Sequence, residues 1–292
     1  MPIEIIVWDV QHGNAITFKT PEGNCIWCDA GAGSFDNGDE FSPYKHMKNP
    51  QIDLLVLSHP HDDHLADFWN MPMEKVTKCL HNHTISKTYQ DTLAVTAEDP
   101  YIAATTLIKL FANDREFPCG LVASIAQPNE RTLRMYAFWA KQDIGENLNN
   151  YSVVAFFCKG ENVICIPGDI EETGWDHLRT AYAPAFEELL NKTTILVASH
   201  HGRQKGWYSE LAELCNPDIV VISDSHEKET SITSSYDYIS NGHEVKKRAR
   251  NVREMLAPPI VAIKKCVSTR ANGVIKISMR DNDFSVTVGK GI

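Results

Sequence analysis

No stretch of the chain stays apolar for the roughly 18–20 residues that a membrane-spanning helix requires, so a membrane protein is not expected. The opening MPIEIIVWDV has neither a basic flank nor a small-residue cleavage site, and a signal peptide is not expected either. Basic residues are in the minority: 28 Lys and Arg against 38 Asp and Glu give a net charge of −10. A protein that grips many phosphates nonspecifically is usually basic. Any nucleic-acid contact must then be local, weak or assisted by bound cations. The eight cysteines are scattered, and only Cys25 and Cys28 form a C-x-x-C. In a strand of period two that pair points to opposite faces, which disfavours a redox pair or zinc knuckle. Reduced cysteines in a cytoplasmic protein fit better. Repeats, low-complexity tracts and linkers are also lacking, and the 43% hydrophobic and 23% charged content is ordinary for a globular chain. One domain is expected over 1–292.

What is present centres on Ile52 to Asn70, IDLLVLSHPHDDHLADFWN. The apolar run Leu54–Leu57 stops at Ser58, as a fully buried strand does. His59, His61, Asp62, Asp63 and His64 follow immediately. The cluster is therefore placed at a strand's C-terminal edge, where α/β folds hold ligands. Imidazole and carboxylate together suit zinc, manganese or iron. One tetrahedral ion does not need so many ligands from one loop, so two divalent ions, zinc or manganese, are expected.

HPHDDH after an apolar strand resembles the signature of the metallo-β-lactamase fold, a superfamily of mostly dinuclear metal hydrolases. The resemblance implies an αββα sandwich, and the remaining chain supplies matching pieces. Ile3–Val10, Ala15–Thr20 and Cys25–Asp29 read as a strand and hairpin meander. It delivers Asp9, His12 and Asn14 to one loop and Asp29 to another. By resemblance, Asp29 and Asp9 support the metal histidines from behind, fixing ring orientation and tautomer. Strands at Ser152–Cys158 and Asn162–Ile166 lead into Pro167-Gly168-Asp169 and one long amphipathic helix reaching about Asn191. Asp169 resembles the superfamily's bridging aspartate. Another buried strand, Thr194–Ser199, ends in His200-His201-Gly202. His201 resembles the last metal histidine, with His200 as a catalytic neighbour. The metal ligands implied are His59, His61, Asp63, His64, Asp169 and His201.

Residues 32–50 read as a loop, and 71–147 as an insertion or helical cap over the metal face. Within the latter, helices are expected around Tyr101–Ala112 and over Asn129–Lys141, and His81 and His83 read as an exposed polar pair. Strands are expected at Asp218–Ser223, Pro259–Ile263, Gly273–Met279 and Asp283–Val288, with a basic helix holding Lys246, Lys247, Arg248, Arg250 and Arg253.

Asp9-Val10-Gln11-His12-Gly13-Asn14-Ala15 is similar to the opening motif of the corresponding domain in ComEC-type DNA-uptake proteins. Asn150–Val154, Gly168–Glu171, His200–Gly202, Asn241–His243 before a helix, and Ser268–Arg270 with Asn272–Ile275 echo later motifs of that branch. The branch implies a metal-dependent nuclease with DNA as substrate. In-line attack by a metal-activated hydroxide would cleave the phosphodiester, with Asp62 or a nearby histidine handling the leaving-group proton. Three departures stand out. His12 and Asn14 replace Gln and Asp of the branch. Asn147, Asn149 and Asn150 occupy the place of a third-motif histidine, which weakens the pair formed by His59 and His61. Arg203 replaces a serine and, with Lys205, offers positive charge to a phosphate. The alternatives are a metallo-hydrolase of a small substrate (cyclic nucleotide, lactone, thioester or phospholipid head group), which the acidic charge favours, and a degenerate domain that only binds a protein partner.

Overall fold

Alternation sets the architecture. In β1 (Ile3–Val7) Ile3, Ile5 and Val7 are buried while Glu4 is exposed, the period of a strand with one inward face. A computed structural model describes residues 1–34, 40–82, 84, 122–124, 133–224, 232–249 and 260–289. The further strands of the first half are β2 (Ile16–Lys19), β3 (Cys25–Cys28), β4 (Gly33–Ser34), β5 (Glu40–Phe41), β6 (Leu54–Val56), β7 (Cys79–Leu80), β8 (Val122–Ser124) and β9 (Arg134–Phe138). Those of the second half are β10 (Val154–Lys159), β11 (Asn162–Ile166), β12 (Ile195–Val197), β13 (Ile219–Ile222), β14 (His243–Lys247), β15 (Val261–Lys264), β16 (Cys266–Ser268), β17 (Val274–Met279) and β18 (Phe284–Gly289).

These strands build a nine-stranded sheet, ordered β15-β14-β18-β17-β1-β2-β3-β6-β7, and a seven-stranded sheet, ordered β16-β13-β12-β11-β10-β9-β8. The inward faces share one apolar core: Ile5, Phe18, Cys28 and Val56 from the first sheet meet Ala155, Phe157, Ile166 and Val197 from the second. Phe18 and Phe157 touch across it with ring centroids 4.4 Å apart. The outward face of the seven-stranded sheet packs Phe156, Cys165 and Val220 against Trp175 and Leu178 of α2 (Glu172–Tyr182) and Phe186 and Leu190 of α3 (Ala185–Asn191). On the other outer face Trp27 and Leu55 pack against Tyr44, Leu65 and Phe68. Tyr44 lies on the short helix α1 (Pro43–His46). The layers are therefore helix, sheet, sheet, helix, the αββα sandwich expected.

Cys28 belongs to the inner core and Cys25 to the outer cluster, the opposed facing that period two dictates. The seven described cysteines are all free thiols. Among the described residues no helix is long and apolar enough to cross a membrane.

Several local expectations need correction. The stretch Asn129–Lys141 is not a helix where it is described: Arg134–Phe138 is a strand pairing with β10 through Val154↔Phe138 to Cys158↔Arg134. Cys79–Leu80 likewise pairs with β6, so parts of 71–147 belong to the main sheets rather than to a cap. The helix expected over Tyr101–Ala112 lies outside the described residues. His81 is buried rather than exposed, and His83 lies outside the described residues. Lys246 and Lys247 sit in β14, not on a helix, because that strand pairs with both β15 and β18; Arg250 and Arg253 lie outside the described residues. The same strand follows Asn241-Gly242, where a helix was expected. The single helix to Asn191 is two helices broken at Ala183-Pro184, since the residue before a proline is pushed out of the helical region, here to φ −61°, ψ 144°. Within the 32–50 loop, β4 pairs with β5 and α1 follows.

Candidate metal centre

Parallel pairing gathers the chemistry at one rim. β3 pairs parallel with β6, and β11, β12 and β13 pair parallel with one another. Their C-terminal ends release Asp29, the Ser58–His64 loop, Asp169, the His200-His201 turn and Ser223. One oxygen or nitrogen from each of Asp63, His64, Asp169 and His201 lies within 4.8 Å of the others, the one such group found among the described residues. His64 and Asp169 approach to 3.2 Å, His201 and Asp63 to 3.0 Å, and His201 and Asp169 to 3.5 Å.

The backbone that aims these side chains is unusual. His200 and His201 have φ of 50° and 55°, and Asp29 has φ 58°. Left-handed conformations in residues with a side chain cost about 1–3 kcal/mol each and persist where surrounding structure holds them. Here His200 N donates to Gly168 O at 3.1 Å, and Ser199 Oγ donates to Ile170 O at 2.6 Å. Gly168 (φ 61°) lets the Asp169 turn close on the histidine loop, because a Cβ there would stand 2.6 Å from Ser58 Cβ.

Far-side hydrogen bonds fix the tautomers of the two buried imidazoles. His64 Nδ1 is 2.7 Å from Asp29 Oδ2, and His201 Nδ1 is 3.0 Å from the Ser223 carbonyl. Both partners only accept, so each Nδ1 carries the proton and each Nε2 points its lone pair at the carboxylates. Four acceptors converging in a buried volume repel unless positive charge sits among them. Without a metal ion, protons supply it. Burial disfavours charge on His201, yet Asp169 and Asp63 push its pKa up to about 9. His64 is raised in the same way against burial, by Asp169 and Asp29. Burial also opposes ionisation of Asp63 and Asp169, but the two imidazoliums hold both carboxyls below the usual range. Two imidazole nitrogens and two carboxylates form a donor set that fits a divalent cation. His64 Nε2 faces the carboxylates, 3.2 Å from Asp169 Oδ1 and 3.7 Å from Asp63 Oδ2, a placement that suits a ligand atom.

Asp29 sits behind His64, buried among donors. Its carboxylate accepts from Ser58 N and Oγ at 2.7 and 2.8 Å, from Asn14 Nδ2 at 2.9 Å, and from His64. Asp9 accepts from Gln11 Nε2 at 3.1 Å. His59 and His61 stand beside the four-residue group rather than in it: their rings meet at 2.9 Å between Nε2 and Nδ1, and His59 lies 4.3 Å from the His64 ring. Burial lowers the pKa of both, so they are neutral and available as ligands. The asparagines in place of a third histidine serve the neighbouring turn. Asn147 and Asn149 donate to Glu171 at 2.8 and 2.9 Å, and Asn150 Oδ1 accepts from Glu171 N and Gly174 N. Glu171 in turn faces His200 Nδ1 at 3.2 Å. Asp62 is exposed on a single 3₁₀ turn, and Lys205 is exposed in the loop after His201.

His12 was not singled out as a site residue, yet it borders the centre. Its Nε2 is 3.5 Å from Asp63 Oδ2, its ring is 5.0 Å from that of His201, and its Nδ1 accepts from Arg203 Nη2 at 3.0 Å. Its only signal in the sequence is its place in the Asp9–Ala15 motif. Ser58, Asn14 and Ser223 carry little local signal, because Asp29, which meets the first two, and His201, which meets the third, are distant in sequence.

The sheet order, the covered outer faces and the acid-and-histidine loops at one rim decide the architecture. The fold is the αββα sandwich that the metallo-β-lactamase resemblance implies. Neither a family model nor a curated protein matches the sequence. Among solved structures the chain is similar to the metallo-β-lactamase fold protein YhfI from Bacillus subtilis, at 11% identity over 82% of this chain and 94% of that one, TM-score 0.47. It is similar also to unliganded yeast PDE1 (13% identity, 80% and 92% covered, TM-score 0.42) and to CmlA, a diiron β-hydroxylase from Streptomyces venezuelae (12%, 75% and 44%, TM-score 0.44). At such scores the likeness says nothing of what this chain acts on.

Proposed function

We propose that this protein is a metal-dependent phosphodiesterase whose substrate is a nucleic acid, DNA being the class that the ComEC-like motifs suggest. The observation that carries the reading is the convergence of Asp63, His64, Asp169 and His201 with both imidazole tautomers set for metal. That group would hold one divalent cation. His59 and His61, with Asp169 shared, would hold a second more weakly, since no histidine stands at Asn147, Asn149 or Asn150. When bound, zinc or manganese would supply an acidified water at neutral pH and charge to offset the developing phosphorane.

The residues around the ions divide the remaining work. Asp29 and the Ser223 carbonyl hold the two ligand rings in register. Arg203 can only donate, so His12 Nδ1 accepts, and a neutral His12 carries its proton on Nε2, facing the centre. His12 Nε2–H then donates to a phosphoryl oxygen. The Arg203 guanidinium and Lys205 add positive charge where a diester enters, which offsets the chain's net charge of −10 locally. Asp62 or His200 delivers the leaving-group proton.

Asp63→Ala and Asp169→Ala should each abolish metal-dependent cleavage while circular dichroism shows a folded protein. Undiminished cleavage by either would refute the assignment. Single-stranded DNA, double-stranded DNA, RNA and cyclic nucleotides compared with one metal titration separate a nuclease from a small-substrate hydrolase, the second reading, which the acidic charge favours.

A further inference from the structure

Beside the metal loop lies a cavity of about 780 Å³, within the range of small-ligand sites. Glu40, Phe41, Lys45, His46, Ala66 and Trp69 contribute to its wall. Trp69 is 56% exposed, whereas Trp8, Trp27, Trp139 and Trp175 are each 5% exposed or less, and Trp207 is half-buried. An indole left in water gives up its apolar burial, so its position calls for a reason.

The wall is built to stay in place. Trp69 ends the 3₁₀ turn Ala66–Trp69, whose Asp67 and Phe68 are buried. The Asp67 carboxylate accepts from Tyr44 N at 2.8 Å and from Asn70 Nδ2 at 2.9 Å, locking the turn to α1. α1 carries Lys45 and His46, both exposed, and the His46 ring packs against Trp8 and Phe41. The turn is also tied to the metal loop: Ala30 N donates to His64 O at 2.8 Å, and Asp67 N donates to Ala30 O at 2.7 Å. Ala66 is two residues from His64.

A flat aromatic face, a cationic side and one carboxylate match the parts of a nucleotide. Stacking on an indole takes any base. Lys45 pairs with a phosphate by a charge-assisted hydrogen bond, and Glu40 accepts from a base amino group. We propose that this cavity binds the nucleotide adjacent to the scissile bond, with its base on Trp69 and its phosphate at Lys45. This rests on the phosphodiesterase reading above and names the part of the substrate that the site recognises.

The probe is adenosine 5′-monophosphate titrated into the whole protein without added metal, read by tryptophan fluorescence and calorimetry. Trp69 is the most exposed indole, so a saturable quench that depends on it is expected. Trp69→Ala should abolish the quench and weaken binding roughly 10- to 100-fold. Lys45→Ala should weaken binding and reduce its salt dependence. In cleavage assays on single-stranded DNA, Trp69→Ala should raise KM with little change in kcat. Absence of a saturable quench, or wild-type affinity in Trp69→Ala, overturns the proposal. Cleavage with an unchanged KM in Trp69→Ala overturns it too, while leaving the phosphodiesterase intact. Saturable, Trp69-dependent binding in a protein that cleaves no diester with any metal supports the pocket and refutes the phosphodiesterase.

Discussion

Asp29→Asn isolates the charge behind His64 with almost no change of shape. The native carboxylate accepts four hydrogen bonds and is 1% exposed. In asparagine the amide oxygen can keep Ser58 N, but the NH2 group must then face donors where Oδ2 stood. Ser58 Oγ can rotate to accept. The His64 imidazole can comply only by moving its proton from Nδ1 to Nε2, which turns the metal-binding lone pair into an N–H aimed at Asp169. Loss of such a supporting partner typically costs 10–100-fold in metal affinity, or about 1.4–2.7 kcal/mol. The metal-free protein, with an imidazolium at His64, loses a buried counter-charge instead, a penalty of about 3–5 kcal/mol at most. Competition with a chromophoric chelator measures the first quantity, and urea unfolding of stripped protein measures the second. Zinc or manganese affinity within twofold of wild type, in a variant folded by circular dichroism, would refute both the tautomer argument and the role of His64 as a ligand.

Other perturbations follow from the same geometry. In metal-stripped protein the pKa of His201 lies at about 9, above its unfolded value, so its contribution to stability is complete below about pH 6.5 and disappears as pH rises through 9. Unfolding midpoints should therefore fall from pH 7 to pH 10 without metal and change less with it; parallel curves would show that the acid–imidazole group does not bind cations. His12→Gln should lower kcat for diester cleavage while metal content measured by emission spectroscopy stays at the wild-type level, and loss of metal would move His12 into the ligand set. Phe157→Ala removes the ring that meets Phe18 between the sheets and should cost about 3–5 kcal/mol in urea unfolding, with a loss under 1 kcal/mol placing the inter-sheet contact elsewhere.

How much was legible can be told from particular residues. His59 to His64 are consecutive, follow an apolar run and need no distant partner to be recognised, so the loop and its strand could be read directly. Asp169 and His201 stand in the same local context, a buried strand followed by a turn. Arg134–Phe138 was misread because its apolar residues also fit a helical spacing, and the neighbour that makes it a strand, β10, begins sixteen residues later at Val154. Lys246 and Lys247 were misread for the same reason: β14 is a strand because β15 and β18 flank it. His12 escaped because its contacts with Asp63 and Arg203 join residues far apart in the chain.

By itself the sequence determined which groups are present and in what local order: apolar runs of strand length, each ending in acids or histidines. Those are short-range properties, carried by neighbouring residues. Only the tertiary structure decided that Asp63, His64, Asp169 and His201 share one small volume, that Asp29 and Ser223 set their tautomers, and that Trp69 stands exposed beside them. Parallel pairing of strands far apart in the chain brings those ends to one rim, and pairing is a property of the folded sheet rather than of any one segment.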